Sequence, residues 1–222
     1  MDKTTAIGLT IVIIIGMVII IRLIVNKIVS GKLEQYVLLE DYEKLDKILD
    51  NFFCKITYTP FRREMLRLNG YSMQNNVGKV EQQFAFMFKN MRLTKEQEML
   101  LAQRGFYYYM ERKEYKKAEK MLKKISDIDS NYSSLKIMRL MFDILAKKET
   151  KYIEALKLSI ENINNGEKNN KNIGIIEYLI ALQYSYLKDT DNAKTYLNRA
   201  KIDCTGTEYE EEINQLLEQM NA

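Results

Sequence analysis

A tyrosine stands nine residues ahead of a small or aliphatic residue, which is followed four residues later by an apolar one, and this pattern recurs along the chain. The copies are Tyr36/Leu45/Leu49, Tyr71/Val80/Phe84, Tyr109/Ala118/Leu122, Ala146/Ala155/Ser159 and Tyr184/Ala193/Leu197. Their central residues are 35, 38, 37 and 38 apart, and only the fourth copy lacks the tyrosine and the closing apolar residue. A period in the thirties, in a chain with one proline and nine glycines, marks stacked helical hairpins. A hairpin cannot bury its apolar face alone, and stacking buries that face continuously. Solenoids of this kind serve as binding surfaces more often than as catalysts.

The composition removes most chemistry. There is no histidine, so a Ser-His-Asp triad, a Cys-His pair, an imidazole base and a His-ligated metal site are all excluded. Two cysteines, Cys54 and Cys204, make neither a disulfide framework nor a zinc motif. The sequence contains no Gly-rich phosphate loop and no DNA-reading module. With 34 basic and 30 acidic side chains the net charge is only +4, a solvated surface and not a nucleic-acid binder. The expectation is a non-enzyme without cofactor or metal.

From Thr4 to Ile21 run 18 uncharged residues dominated by Ile and Val. At ~1.5 Å per residue the run is about 27 Å long, close to the thickness of a hydrocarbon core. Arg22 can snorkel to the interface, and the span ends near Lys27. No Ala-x-Ala-like step follows; Val29-Ser30-Gly31 is the nearest approach to a signal-peptide cleavage site. Residues 1–27 therefore read as an uncleaved single-pass transmembrane anchor and 28–222 as the repeat domain. Arg22, Lys27 and Lys32 precede the first acid, Glu34, on the C-terminal flank. The positive-inside rule then puts the repeats in the cytosol.

The pattern predicts first helices over 30–38, 60–73, 95–110, 132–147 and 172–187. Second helices are predicted over 41–54, 77–91, 115–126, 151–163 and 191–202, with a terminal helix near 207–220. Pro60 suits a first helical turn, and Thr94 with Gln97 reads as a capping box. Ala118, Ala155 and Ala193 are the small residues that let paired helices approach. Glu208, Glu210, Glu211 and Glu212 give the last helix a polar, capping character suited to its dipole.

The third copy, EQEMLLAQRGFYYYMERKEYKKAEKMLKKI, and the fifth, IALQYSYLKDTDNAKTYLNRA, carry the residues of a known repeat. Tyr109, Ala118 and Leu122, then Ala181, Tyr184, Ala193, Leu197 and Ala200, fall at consensus places. The chain resembles membrane-anchored bacterial members of the tetratricopeptide repeat (TPR) family over roughly residues 30–202. It departs from the consensus in having no tryptophan and no closing prolines. The resemblance implies an all-α fold: a right-handed solenoid of about five hairpins with a C-terminal capping helix, behind the N-terminal transmembrane helix.

The resemblance also implies a concave surface lined by first helices. Its residues would be Arg62, Met65, Asn69 and Met73; Gln103, Tyr107 and Met110; Ile137, Leu140 and Ile144; and Tyr178, Leu182 and Tyr186. This is a mostly apolar groove for a helical or extended peptide. Only Asn69 falls where some TPR domains grip a terminal carboxylate. The run Arg112, Lys113, Lys116, Lys117, Lys120, Lys123 and Lys124, interrupted by Glu111, Glu114 and Glu119, reads as a solvated face with an acidic partner or anionic lipid as the alternative. The triplet Tyr107-Tyr108-Tyr109 spreads over three helix directions and reads as core packing.

The expected function is a membrane-tethered scaffold that binds a protein or peptide partner. One alternative is an extracytoplasmic factor assisting secretion or envelope assembly. The other is a structural protein that self-associates.

Overall fold

In four places along the chain, helices are joined by the same tight turn, and its chemistry explains the period. A computed structural model describes residues 20, 23–164, 170–207 and 209–221. Among these every regular element is helical: α1 (residues 23–38), α2 (Tyr42–Leu49), α3 (Phe52–Thr57), α4 (Pro60–Met73), α5 (Val77–Asn90), α6 (Lys95–Glu111), α7 (Tyr115–Ile128), α8 (Leu135–Leu145), α9 (Ile153–Asn164), α10 (Asn170–Tyr186), α11 (Thr190–Asp203) and α12 (Glu210–Asn221). The fold is all-α. The predicted span Thr4–Ile21 lies outside the described residues apart from Ile20; among the described residues no helix is long and apolar enough to cross a membrane.

At each shared turn a first helix ends in a Schellman motif. The N–H groups of Asp41, Asn76, Glu114 and Asp189 donate to the carbonyls of Tyr36, Tyr71, Tyr109 and Tyr184 at 2.9, 3.0, 2.9 and 3.0 Å. The residue before each donor is left-handed: Glu40, Asn75, Lys113 and Lys188, with φ of 52°, 50°, 57° and 62°. Its N–H closes the inner bond of the motif, to Val37, Ser72, Met110 and Ser185. The donor then becomes the N-cap of the second helix, and the side chains of Asp41, Asn76 and Asp189 accept from the N–H of Lys44, Lys79 and Asn192. Each repeat tyrosine is thus the last residue but two of a first helix, and residue nine onward lies one turn into the second helix. The fourth copy breaks the rule as its sequence does. Residues 146–152 separate α8 from α9, Lys148 is the left-handed residue, and Glu149 N–H reaches back to Asp143.

Local signals set the other boundaries. Thr59 caps α4 with Pro60 in its first turn. Thr94 and Gln97 exchange both bonds of a capping box ahead of α6, at 3.2 and 3.3 Å. The predicted helix 41–54 is instead two helices: Asn51 turns extended and caps α3 through Phe53 N–H at 2.9 Å. An internal Asn side chain that can satisfy an orphan N–H competes with helix continuation.

The chain divides into two compact units, residues 1–101 and 102–222, the boundary falling within α6. In the first, Val29 and Leu33 of α1 meet Leu45 and Leu49 of α2, Cys54 of α3 and Tyr58. α2 packs on α3 and α4, and α4 on α5. Arg67 of α4 ties these layers with ion pairs to Asp46 (2.8 Å), Asp50 (3.1 Å) and Glu64 (3.6 Å). Tyr71 Oη donates to Asp46, and Gln83 of α5 donates to Glu64. In the second unit α10 is central, packed against α8, α9 and α11, while α7 packs on α8 and α12 on α11. Its core runs from Ile144 through Leu156, Tyr178 and Leu197 to Ile213, and each fully buried aliphatic side chain contributes about 1.5–3 kcal/mol. Ala118 and Ala193 are fully buried, as close helix pairing requires, whereas Ala155 is exposed. The seven-residue loop before α9 and the loss of the repeat tyrosine leave that helix rotated out of the shared register.

Candidate interaction surface

The stripe predicted on α4 follows from spacing: Arg62, Met65, Asn69 and Met73 recur every three or four residues, one face of a helix. The opposite face carries Glu64, Leu68 and Gly70, which are buried. Arg62 and Met73 are exposed and Met65 and Asn69 half-buried. The Arg62 guanidinium lies 4.6 Å from the centre of the Tyr58 ring, which fixes one end of the stripe.

In the second unit the candidates grade from surface to core. On α6 Gln103 is half-buried, Tyr107 is 41% exposed and Met110 is buried. On α8 Ile137 is 61% exposed, Leu140 half-buried and Ile144 fully buried. On α10 Tyr178 and Leu182 are core residues and Tyr186 is packed against the core. So Met110, Ile144, Tyr178 and Leu182 do not line an open surface. For Ile144, Tyr178 and Leu182 the reason is that α8 and α10 pack directly on each other in one core.

The C-terminal helix completes this closure. Tyr209, just ahead of α12, sets its ring 5.5 Å from that of Tyr178. Glu212 of α12 pairs with Lys113, in the turn after α6, at 3.1 Å. The phenols around that carboxylate are all pushed upward. Burial lifts Tyr178 far above its ordinary value, with Glu212 adding to it. Burial, then Tyr115 and Glu212, raise Tyr186 to about 12. Tyr115 is raised by burial, Lys113 opposing and Glu212 reinforcing. One carboxylate therefore sits among tyrosines of α7 and α10 and a lysine of the α6–α7 turn. Of the candidates on α10, Tyr178 is thus packed against Tyr209 at the start of the C-terminal segment, and Tyr178 and Tyr186 both feel Glu212.

Neither thiol is poised as a nucleophile. Burial raises both thiols: at Cys54 it outweighs Arg63, and at Cys204 it outweighs Thr207, which disfavours the nucleophilic thiolate. Among the described residues no three His, Cys, Asp or Glu side chains come together as a metal site. The basic run largely pairs or solvates: Lys117 and Arg112 reach Glu114 at 2.7 and 3.3 Å, and Lys116, Lys120 and Lys123 are exposed. Tyr107, Tyr108 and Tyr109 point to surface, half-buried and buried positions.

One apolar surface was not anticipated. Phe52, Phe53 and Ile56 of α3 are 71, 53 and 56% exposed, beside a groove lined by Val25, Ile28, Val29, Lys32, Ile48, Asn51, Phe53 and Cys54. The signal was Asn51 as a cap: once it starts a new helix, apolar residues at i, i+1 and i+4 share the face opposite Cys54.

Comparison with family models, with curated proteins and with solved structures finds no match.

Proposed function

We propose that this chain is a single-pass membrane scaffold. Residues 1–27 anchor it, and residues 28–222 form a TPR-like, right-handed solenoid of helical hairpins that binds a protein or peptide partner on the cytosolic side. The observation that carries this reading is the recurrent turn, with its tyrosine carbonyl, left-handed residue and N-cap in register at four places. Repetition of one supersecondary unit is the architecture of a binding solenoid. The anchor reading draws support from α1: Val29 and Leu33 are locked in the first core, so cleavage at Val29-Ser30-Gly31 would cut a helix that the fold uses. The candidates that remain accessible are Arg62, Met65, Asn69 and Met73 in the first unit and, separately, Gln103, Tyr107 and Ile137 in the second.

Photo-crosslinkers placed singly at Met73, Tyr107 and Ile137 in native membranes test the proposal, with Leu187 and Ile202 as exposed apolar controls outside the first-helix faces. The expected result is a discrete adduct from Met73 and, independently, one from Tyr107 and Ile137, with none from the controls. Adducts that are absent, or equal at controls and candidates, refute the partner surface. Extraction of the full chain by alkaline carbonate refutes the anchor separately.

A further inference from the structure

The six-residue helix α3 is apolar on both sides. Cys54 points into the core with Val29 and Leu33 of α1, while Phe52, Phe53 and Ile56 face outward. The two phenyl rings meet edge to face at 5.9 Å. Exposed aromatic pairs of this kind are an unusual cost on a water-facing surface. Their neighbours on α1 are the informative part. Phe53 shares its groove with Val25, Ile28, Val29 and Lys32, which lie on the stretch just after the apolar run Thr4–Ile21, beyond Arg22. Ile24 and Ile28 are themselves more than half exposed.

Position along α1 gives depth. With Lys27 at the edge of the hydrocarbon, residues 28–32 rise through the next ~7 Å at ~1.5 Å each. That matches the headgroup layer, about 5–7 Å on each side of a bilayer. A side chain packed beside residues 28–32 is held in that layer, where aromatic rings are favoured. The charges agree. Lys27, Lys32 and Lys55 are exposed and outnumber the one neighbouring acid, Asp50, which stays exposed while sharing Arg67 with Asp46 and Glu64, so the rim around the phenyl rings carries a basic excess suited to lipid phosphates.

We propose that α3 is a second membrane contact, with Phe52, Phe53 and Ile56 inserted in the interfacial layer beside α1. The inference rests on the reading of residues 1–27 as a membrane anchor. α3 then fixes how the first compact unit stands on the bilayer, a role that a lone flexible tether cannot perform.

The chain contains no tryptophan, so a single introduced one reports its own surroundings. Full-length Phe53→Trp, Phe52→Trp, Ile13→Trp and Leu158→Trp proteins are reconstituted in phosphatidylethanolamine/phosphatidylglycerol vesicles doped with lipids brominated at shallow or deep acyl positions. The expected result is that Trp at 52 or 53 loses most of its emission to shallow bromine, Trp at 13 loses it to deep bromine, and Trp at 158 is unaffected. Quenching at 13 with none at 52 or 53 overturns the interfacial contact and leaves the anchor standing. If the 52 and 53 probes are then also shielded from aqueous iodide, a protein surface, such as a second copy, covers the patch. Quenching at neither 13 nor 52 and 53 overturns the anchor and this contact together. Quenching at 53 by deep bromine alone overturns the interfacial placement.

Discussion

Gly174, near the start of α10, faces the end of α11 at a distance that leaves no room for a methyl group. A Cβ there would stand 2.8 Å from both Asp203 Cβ and Cys204 Sγ, and 3.2 Å from the Asp203 carbonyl carbon. The Cys204 thiol can swing aside, but the Asp203 Cβ and carbonyl carbon move only with the backbone, so relief requires moving the helix end. Such overpacking costs about 1–3 kcal/mol, toward the upper end where backbone must shift, against about 1 kcal/mol gained from the better helix propensity of alanine. Gly174→Ala should therefore cost the second unit about 1–2 kcal/mol, a factor of about 5–30 in the open population. Gly70 in α4 is the matched control. Its added Cβ would meet Leu45 Cδ2 at 2.9 Å and Tyr42 Cδ1 at 3.9 Å, and the end of a leucine can rotate for about 0.5–1.5 kcal/mol. Propensity and strain nearly cancel there. The chain supplies its own reporters, since Cys54 and Cys204 are free and buried, one in each unit. Native-state maleimide labelling of the full chain in micelles, resolved by peptide mass spectrometry, reads the opening of each. Gly174→Ala should speed labelling of Cys204 by about 5–30-fold, and Gly70→Ala should change that of Cys54 by less than about threefold. Unchanged or slower labelling of Cys204 in Gly174→Ala would refute the close-approach argument, as would an equal response from Gly70→Ala.

Lys188 holds a left-handed φ of 62°, so Lys188→Gly should stabilise by about 0.5–1 kcal/mol; a lower thermal midpoint would contradict this. Gln183 is fully buried and accepts from Tyr152 N–H at 3.0 Å, so Gln183→Leu should destabilise by about 1–3 kcal/mol through that orphaned donor, measured by urea titration. Burial raises the carboxyl of Glu177, with Arg199 opposing and Asp203 reinforcing. The folded state therefore holds its proton more tightly than the unfolded chain, and stability falls as pH climbs from the ordinary value of 4.5 through the raised one. Glu177→Gln should accordingly be more stable than the parent at neutral pH and equal to it below the ordinary carboxyl value. A gain that persists in acid would show that something other than this proton is responsible.

Where helices start and stop was largely legible, because those decisions are local. Pro60, the Thr94/Gln97 box and the recurrent tyrosine each act within a few residues of themselves. The same register held a further signal: an Asp, Asn or Glu five residues after each repeat tyrosine, at Asp41, Asn76, Glu114 and Asp189. Three of these cap the following helix with a side-chain bond. Asn51 is the same kind of signal inside an apolar stretch, where periodicity alone favoured one long helix over the two that form.

The candidate surface was less legible, for a physical reason. A first-helix residue looks the same in sequence whether its face meets solvent or another helix. Ile137 and Ile144 lie on one helix and differ completely in burial, because α10 covers one and not the other. The closure near Tyr178 depends on Glu212 reaching Lys113, 99 residues away, a distance at which no spacing rule applies.

By itself the sequence determined the all-helical class, the hairpin period, the turn chemistry and the lack of imidazole-based catalysis, since these follow from residue type and short-range hydrogen bonding. Only the tertiary structure decided which predicted surface residues remain accessible, that the C-terminal segment packs on Tyr178, and that α3 carries exposed phenyl rings beside α1. Those outcomes depend on which surfaces bury each other, and burial is settled by packing among segments far apart in the chain.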